Sequence, residues 1–353
     1  MFAVLALGAV PAMGSARTYD VYSCTLPDGR PAPTEGWTAE VNGANARANN
    51  GCASSFGPHR ALTASFYPDA AAGDTAGWVF TAPADTLISS YTLWRLARSS
   101  VDHGSNFQDY WLTQDMRFSF DTRYFAEWCS QFASCSSLGS SAGNHLATAN
   151  RFQRSGLQIK VLNALLDCRV QETGRCDSTE TGSRTDPGLI QIYSARLGLS
   201  DLHEPEFKQA PGGSLLQSTT PLEGEETISF GARDHGGGIE RVGVVVDGQS
   251  RLQRPSDPNA TRCRRPFTSL KPCPAATDNT LVFNTATLPN GPHAIQASVI
   301  DAAGNETRSD PVVVTTRNGS RPNGRGASRF VRLAAWLRSR RAKRRSSAVV
   351  PYG

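Results

Sequence analysis

The sequence predicts an all-β protein built from two sandwich domains, and three observations lead to this prediction. The chain of 353 residues is long enough for about two domains at roughly 150 residues each. It contains 32 Gly and 21 Pro, and this abundance of turn-forming residues favours short strands over long helices. Stretches in its last third alternate apolar and polar side chains with the period of a half-buried strand.

The last third of the chain contains five predicted strands. One of them ends at Asp247-Gly248, a dipeptide typical of tight hairpin turns. The five strands are expected at residues 226–234, 239–247, 280–283, 293–300 and 312–316. Strands at this spacing over about 100 residues indicate a β-sandwich.

Two segments of this region carry a resemblance to a known family. They read DHGGGIERVGVVVDG at 234–248 and GPHAIQASVIDAAGN at 291–305. Both resemble the bacterial Ig-like repeats of secreted actinobacterial surface proteins, and the resemblance covers about residues 211 to 316. It implies an Ig-like domain at 214–316. The segment between Cys263 and Cys273 departs from the repeat pattern, and we expect it to decorate one loop.

Residues 17–205 are predicted to form a jelly-roll or concanavalin-like sandwich, because several short strands are joined by Gly- and Ser-rich connectors. Its strands are expected at 78–83, 87–93, 116–120, 157–162 and 189–193. The order of its segments is an early Cys pair, a Gly-Trp-x-Phe-x-x-Pro strand at Trp78, a central Cys pair and a Cys pair before the closing strand. This order is similar to the lectin-like modules that precede Ig-like repeats in those surface proteins. Residues 206–213 are expected to form the linker.

The N-terminus and the cysteines predict a secreted or cell-surface protein. Residues 1–16 are expected to be a signal peptide, because an apolar run too short to span a bilayer is followed by small residues. Eight cysteines in an exported chain favour local disulfides. The expected pairs are Cys24–Cys52, Cys129–Cys135, Cys168–Cys176 and Cys263–Cys273. Because no CxxC occurs and the six His are scattered, these cysteines are not expected to bind a metal.

The positive charge of the chain is concentrated at its C-terminus. Eleven Arg and Lys lie in 317–345, so residues 1–316 carry a formal charge of −6, the total of +5 less these eleven. Residues 1–316 therefore lack the net positive charge that is typical of nucleic-acid-binding domains. Residues 317–353 are predicted to be a flexible basic linker or tail. The alternative is an anchor on an anionic surface, because apolar residues recur at helical spacing among its arginines.

The sequence offers no complete catalytic motif. One G-x-S-x-G occurs, at 139–143, but the all-β prediction places no strand-to-helix turn there, so a nucleophile elbow is not expected. The segment from His203 to Glu206 lacks the second His that a zinc protease needs four residues later. Neither Glu127 nor Glu172 has a carboxylate partner four residues away, the arrangement of many glycosidases on jelly rolls. No catalytic residue is therefore predicted. Carboxylates from different strands can still meet, so a glycan-processing enzyme remains the alternative.

The aromatic residues of the first domain are the candidate ligand-binding residues, because sugar rings stack on Trp and Tyr. We select Tyr110, Trp111 and Trp128 as candidates. The alternative for each is that its ring packs in the interior of the fold and binds no ligand. Trp78 alternates with Phe80 in a predicted strand and is expected in the core. The predicted function is a monomeric binding or adhesion protein for an extracellular glycan or cell-wall polymer. A purely structural stalk is the remaining alternative.

Four side chains of the Ig-like domain carry oxygens suited to Ca²⁺. They are Asp234, Asp247, Asp301 and Asn305. Such residues more often fix turns by hydrogen bonds to the backbone, and this is the interpretation we prefer. No cofactor is predicted, and Ca²⁺ stays an open alternative.

Overall fold

The fold is that of a computed structural model, which describes residues 17–53, 60–67, 70–98, 106–115, 124–129, 138–170, 175–176, 188–217, 219–259 and 261–319. This part of the chain is all-β, as predicted, with short 3-10 helices at Thr148–Asn150, Ser214–Leu216 and Thr285–Thr287. Within these ranges, no helix has the length and hydropathy needed to span a membrane. The signal peptide predicted at 1–16 and most of the tail predicted at 317–353 lie outside them.

The first sandwich is formed by strands β1 to β14. A seven-stranded sheet has the order β11-β8-β14-β1-β2, with β5 on β14 and β4 on β5, and a five-stranded sheet has the order β10-β9-β12-β7-β3. Leu93 and Leu197 of the first sheet share one core with Phe80 and Leu162 of the second. The strands are β1 Thr18–Thr25, β2 Pro31–Ala32, β3 Trp37–Asn42, β4 Ala46–Asn50, β5 Leu62–Phe66, β6 Ala70–Ala71, β7 Thr75–Thr81, β8 Thr86–Arg98, β9 Asn106–Asp115, β10 Tyr124–Cys129, β11 Arg151–Ile159, β12 Val161–Val170, β13 Arg175–Cys176 and β14 Leu189–Asp201.

Two of the strands expected in this domain are not observed as predicted. The single strand expected at 157–162 is wrong, because β11 ends at Ile159 and β12 begins at Val161 in the opposite sheet. Lys160 lies between them, buried, and its ammonium donates to the carbonyls of Ala84 and Thr86, each at 2.8 Å. Apolar residues on both sides of this turn imitate one alternating strand. The strand expected at 116–120 lies outside the described residues.

The second sandwich packs a three-stranded sheet, β15-β16-β19, on a five-stranded sheet, β18-β17-β20-β21 with β22 on β20. The five predicted strands are present as β16, β17, β19, β20 and β22. Strand β18 was not predicted, because its side chains are almost all exposed and show no apolar alternation. The strands are β15 Glu206–Phe207, β16 Glu225–Arg233, β17 Ile239–Val246, β18 Gln249–Pro255, β19 Ala276–Asn284, β20 Gly291–Asp301, β21 Glu306–Arg308 and β22 Val312–Thr316.

One local feature agrees with the sequence prediction, and a second differs from it. Asp247 and Gly248 both have positive φ, 51° and 79°, which is the backbone of a type I′ hairpin turn. Strand β15 lies within the range expected as a linker and pairs with the end of β16.

Two of the expected disulfides are confirmed. Cys24 bonds to Cys52 and Cys263 bonds to Cys273, with Cα atoms 4.7 and 4.6 Å apart. Cys168 is also disulfide-bonded. The side chains of Cys129, Cys135 and Cys176 lie outside the described part, so the pairs Cys129–Cys135 and Cys168–Cys176 stay predictions. Disulfides of this kind are typical of proteins that fold in an oxidising compartment.

The Cys263–Cys273 loop joins the two sandwiches, whereas the sequence suggested only a decoration. Phe267 of this loop is fully buried in the core of the first sandwich. Its ring meets the ring of Tyr19 edge-on at 6.3 Å, and its carbonyl accepts the N–H of Tyr22 at 2.8 Å. The Tyr19 hydroxyl donates to the carbonyl of Leu270 at 2.7 Å. The junction is therefore a packed interface in which one sandwich completes the core of the other.

Candidate functional site

The three aromatic candidates lie on neighbouring strands of the five-stranded sheet. Trp111 on β9 is opposite Trp128 on β10 in the antiparallel register, and Tyr110 is opposite Cys129. The tertiary structure thus brings together backbone positions that are 17 residues apart in the chain. Their side chains lie outside the described part, so a role in ligand binding stays a prediction.

Trp78 is a core residue, as expected. Its side chain is buried in the first sandwich, and its Nε1–H donates to the carbonyl of Thr63 at 3.1 Å. The indole therefore satisfies its polar atom internally.

An open groove of about 470 Å³ crosses three strands of the other sheet. Strand β8 supplies its floor, since it lies between β11 and β14. The register places Gln153 of β11 and Arg196 of β14 on either side of Thr92. The groove is lined by Ser90, Tyr91, Thr92, Gln153, Arg154, Ser155 and Arg196.

The two arginines of this groove are held in place by neighbours. Arg154 stacks over the ring of Phe152 at 4.5 Å and donates to the carbonyl of Ala126 at 3.1 Å. Arg196 donates to Asp20 at 2.6 Å. Positioned guanidinium groups retain N–H donors for a further acceptor, because each carries five. Arg196 therefore presents a cationic group among hydroxyl and amide groups, whereas Arg154 is opposite the core residue Tyr91 and directs its guanidinium to the other face of the sheet.

This groove was missed at the level of the sequence. Most of its members are polar side chains and arginines on three separate strands, a pattern shared by many strands at a sheet surface. Only the order of the strands in the sheet brings them together. None of the seven lining residues is Asp or Glu, so the lining itself holds no carboxylate pair of the kind that hydrolyses glycosides.

Glu127, one of the two carboxylates considered for catalysis, is engaged in an ion pair, and the other, Glu172, lies outside the described residues. Both of its oxygens accept from the guanidinium of Arg95, with Nε at 2.9 Å from Oε2. Arg95 is buried and also approaches the carbonyl of Asn150 at 3.4 Å. A two-point pair of this type positions β8 against β10.

A second candidate site is a cluster of three buried aspartates at the junction of the two sandwiches. Asp201 ends β14 of the first sandwich, while Asp234 follows β16 and Asp301 ends β20 of the second. One carboxylate oxygen from each lies within 4.8 Å of the other two. Their residues are 1%, 5% and 0% exposed, respectively. Oxygen-only clusters of this kind are suited to hard cations such as Ca²⁺.

Of the four residues considered as Ca²⁺ ligands from the sequence, two lie in the aspartate cluster and two make other contacts. Asp234 and Asp301 lie together, and Asp201 joins them although no pattern in the sequence indicated it. Asp247 lies elsewhere and pairs with His293 at 2.6 Å. Asn305 donates to Asp301 through its backbone N–H and its Nδ2, at 2.8 and 2.7 Å, so it fixes that carboxylate.

Backbone N–H groups hold the other two carboxylates. Asp201 accepts from Gly237 at 2.8 Å and from His203 at 3.2 Å, and Oδ2 of Asp234 accepts from Gly238 at 2.7 Å. Oδ1 of Asp234 is buried and has no hydrogen-bond partner. One oxygen of the cluster therefore lacks the partner that buried polar atoms normally have.

The electrostatics of this cluster favour neutralisation. Burial raises the pKa of Asp301 to about 7, and the charges of Asp201 and Asp234 add to this shift. Burial likewise raises the pKa of Asp201 and of Asp234. It also raises the pKa of the Tyr19 hydroxyl, with a further contribution from the same aspartates. Three carboxylates packed this closely disfavour one another's charged form.

Comparisons with known proteins identify no family. No protein-family model matches the chain, and no curated protein matches it. Among solved structures, the fibronectin(III)-like modules of CbhA from Clostridium thermocellum are 13% identical with a TM-score of 0.25, covering 70% of this chain and 87% of theirs. The glycoside hydrolase domain of Endo-D from Streptococcus pneumoniae R6 is 13% identical with a TM-score of 0.22, covering 79% and 37%.

A third solved structure is dimeric latent PorU from Porphyromonas gingivalis. It is 11% identical with a TM-score of 0.22, over 71% of this chain and 22% of its own. At TM-scores this low, none of the three likenesses carries an argument about fold or function.

Proposed function

We propose that this protein is secreted or displayed at the cell surface, where its first sandwich binds an extracellular glycan or cell-wall polymer. The second, Ig-like sandwich serves as the spacer, and the protein acts as a monomer without catalysis. The observation that carries this proposal is the polar groove across β11, β8 and β14. The disulfides support export, because such bonds persist in oxidising compartments.

The chemistry of the groove suits a polyhydroxylated ligand. Hydroxyl groups of Ser90, Thr92 and Ser155 and the amide of Gln153 both donate and accept hydrogen bonds, as sugar hydroxyls require. An open groove accommodates a chain that continues beyond the bound residues. Arg196 adds positive charge, so we expect a polymer bearing carboxylates or phosphates to bind more tightly than a neutral one.

The test is a binding titration of the full chain with two matched probes, an oligogalacturonate and a neutral malto-oligosaccharide of the same length. Saturable binding with a preference for the acidic probe supports the proposal. Arg196→Ala should weaken that binding about tenfold, because it removes one charge-assisted contact. The control is Arg254→Ala, which removes an exposed arginine of β18 and should leave the affinity unchanged.

Three results would contradict the proposal. Chain shortening of either probe would favour a glycan-processing enzyme. Absence of binding to both probes and to isolated cell-wall polysaccharide would favour a structural stalk. Equal losses in Arg196→Ala and Arg254→Ala would show that any binding is a general charge effect and does not take place in the groove.

A further inference from the structure

The three buried aspartates have no cationic partner among the residues described around them. The side chains of two histidines beside the cluster contact other carboxylates. His203 Nε2 lies 3.7 Å from Asp85, and His235 Nε2 lies 3.6 Å from Glu206. Buried charges in proteins are normally paired or bound to a metal, since desolvation is costly. A cation is thus the partner that this cluster lacks.

The unpartnered oxygen of Asp234 points to the same conclusion. Asp234 is 5% exposed, and its Oδ1 meets no donor. Leaving such an atom without a partner costs free energy, more for a charged group than for a neutral one. The other carboxylate oxygens accept N–H groups on one side and keep further lone pairs. The backbone therefore orients the three carboxylates without saturating them.

The loop after β16 is built to approach these carboxylates. A Cβ atom at Gly236 would lie 1.9 Å from Oδ2 of Asp201, and one at Gly237 would lie 2.8 Å from the Cβ of Ala302. Gly238 has a φ of +85°, which favours glycine. Three consecutive glycines thus allow the loop to deliver its N–H groups to Asp201 and Asp234.

From this geometry we infer that Asp201, Asp234 and Asp301 bind one Ca²⁺ ion at the junction of the two sandwiches. The choice of ion follows from the donors. Carboxylate oxygens contributed by three separate strand ends suit the flexible, oxygen-rich coordination of Ca²⁺. Mg²⁺ demands a near-octahedral shell and usually retains several waters with one or two carboxylates. The remaining positions of the Ca²⁺ shell are filled by water or backbone carbonyls.

The ion would connect the two domains directly. Asp201 is the last residue of β14, whereas Asp234 and Asp301 belong to the two sheets of the second sandwich. Binding removes the repulsion among the carboxylates and ties their strand ends together. Ca²⁺ therefore stiffens the junction that the Cys263–Cys273 loop also packs. This inference is independent of the proposed glycan groove, whose lining shares no residue with it.

The test uses the full chain, freed of metal with EDTA and titrated with CaCl2 alone. Calorimetry should give one ion per chain, with an affinity in the range of extracellular Ca²⁺ modules, Kd on the order of 0.1 to 1 mM. The Tm should rise by several degrees, on the order of 5 °C, at Ca²⁺ well above Kd. Asp234→Asn and Asp301→Asn should each abolish this Ca²⁺-dependent rise. The matched control is Asp310→Asn, which changes an exposed aspartate of the same sandwich and should keep it.

The deciding quantity is the difference in Tm between Ca²⁺ and EDTA for each variant, which is separate from any change in basal stability. Asp234→Asn relieves repulsion and keeps an acceptor for the N–H of Gly238, so we expect its Tm in EDTA to equal or exceed that of the wild type. Asp301→Asn also removes one of the two acceptors for Asn305 and should lower the Tm in EDTA. Three results would overturn the inference. They are an unchanged wild-type Tm in CaCl2, an equal rise with MgCl2, and a loss of the Ca²⁺ effect in Asp310→Asn.

Discussion

His293 and Asp247 form a hydrogen-bonded ion pair across the β17–β20 ladder, with Nδ1 of His293 2.6 Å from Oδ2 of Asp247. The other ring nitrogen, Nε2, faces the carbonyl of Pro289 at 2.9 Å. Both nitrogens therefore meet acceptors, so both must carry protons to form these bonds. The hydrogen bond with Asp247 accordingly raises the pKa of His293, and it lowers the pKa of Asp247.

The first prediction concerns the pH dependence of this pair. A raised His293 pKa stabilises the fold fully below its usual 6.5, and this contribution is lost as pH rises through the raised value. A lowered Asp247 pKa stabilises the fold above its usual 3.8, and this contribution is lost as pH falls through the lowered value. The pair is therefore strongest near pH 5.

Asp247→Asn should reveal this window, because asparagine tolerates the positive φ and still accepts the N–H of Ala294. We expect a loss of about 1 kcal/mol or less near pH 5, because Asp247 is half exposed and the interaction is screened. The loss should be smaller at pH 9 than at pH 5, because the contribution of His293 disappears as pH rises through its raised pKa. Urea unfolding at both pH values measures it, and a loss that grows with pH would contradict the assignment.

The second prediction concerns the junction. Phe267→Ala should cost about 3 to 5 kcal/mol of unfolding free energy, because the ring fills the core of the first sandwich from the second. Calorimetry should also show the thermal transition of the first sandwich shifting more than that of the second. The control is Phe125→Ala, which removes a ring that is 55% exposed and should cost less than about 0.5 kcal/mol.

The third prediction concerns the different roles of the core tryptophan and the two candidate ligand-binding tryptophans. Trp78→Ala should cost about 3 to 5 kcal/mol, because it leaves a cavity and an unpaired carbonyl at Thr63. Trp111→Ala and Trp128→Ala change a second candidate surface, on the sheet opposite the groove. They should weaken glycan binding by about 1 kcal/mol or more while leaving unfolding cooperative. Denaturant unfolding and glycan titration of all three variants provide the comparison. Equal behaviour of the three would show that the division is mistaken.

The fourth prediction concerns the covalent framework. Non-reducing peptide mapping of the exported protein should find no free thiol and each cysteine joined to its near neighbour, including Cys129 to Cys135 and Cys168 to Cys176. The Sγ of Cys168 lies 3.5 Å from the carbonyl of Ala70, which is opposite Cys176 in a two-stranded ladder. This proximity supports the second pair. A crossed bond such as Cys52 to Cys129 would refute the scheme.

The sequence by itself determined the fold class and most of the second sandwich. Alternating side chains from Glu226 to Asp234 and the Asp247-Gly248 turn specify a strand and a hairpin turn locally, because the side-chain period and the positive φ are properties of neighbouring residues. The pairs Cys24–Cys52 and Cys263–Cys273 were likewise readable from their spacing and the expected compartment. Strand β18 was not predicted, because an exposed strand shows no alternation of apolar side chains.

Only the tertiary structure decided where side chains from distant segments meet. Asp201 precedes Asp301 by 100 residues, and no local pattern connects them. Their proximity results from the packing of one sandwich on the other through Phe267. The polar groove has the same origin, because Gln153, Thr92 and Arg196 become neighbours only through the strand order β11-β8-β14. Local periodicity encodes the elements, while sites formed between elements depend on contacts that sequence spacing does not record.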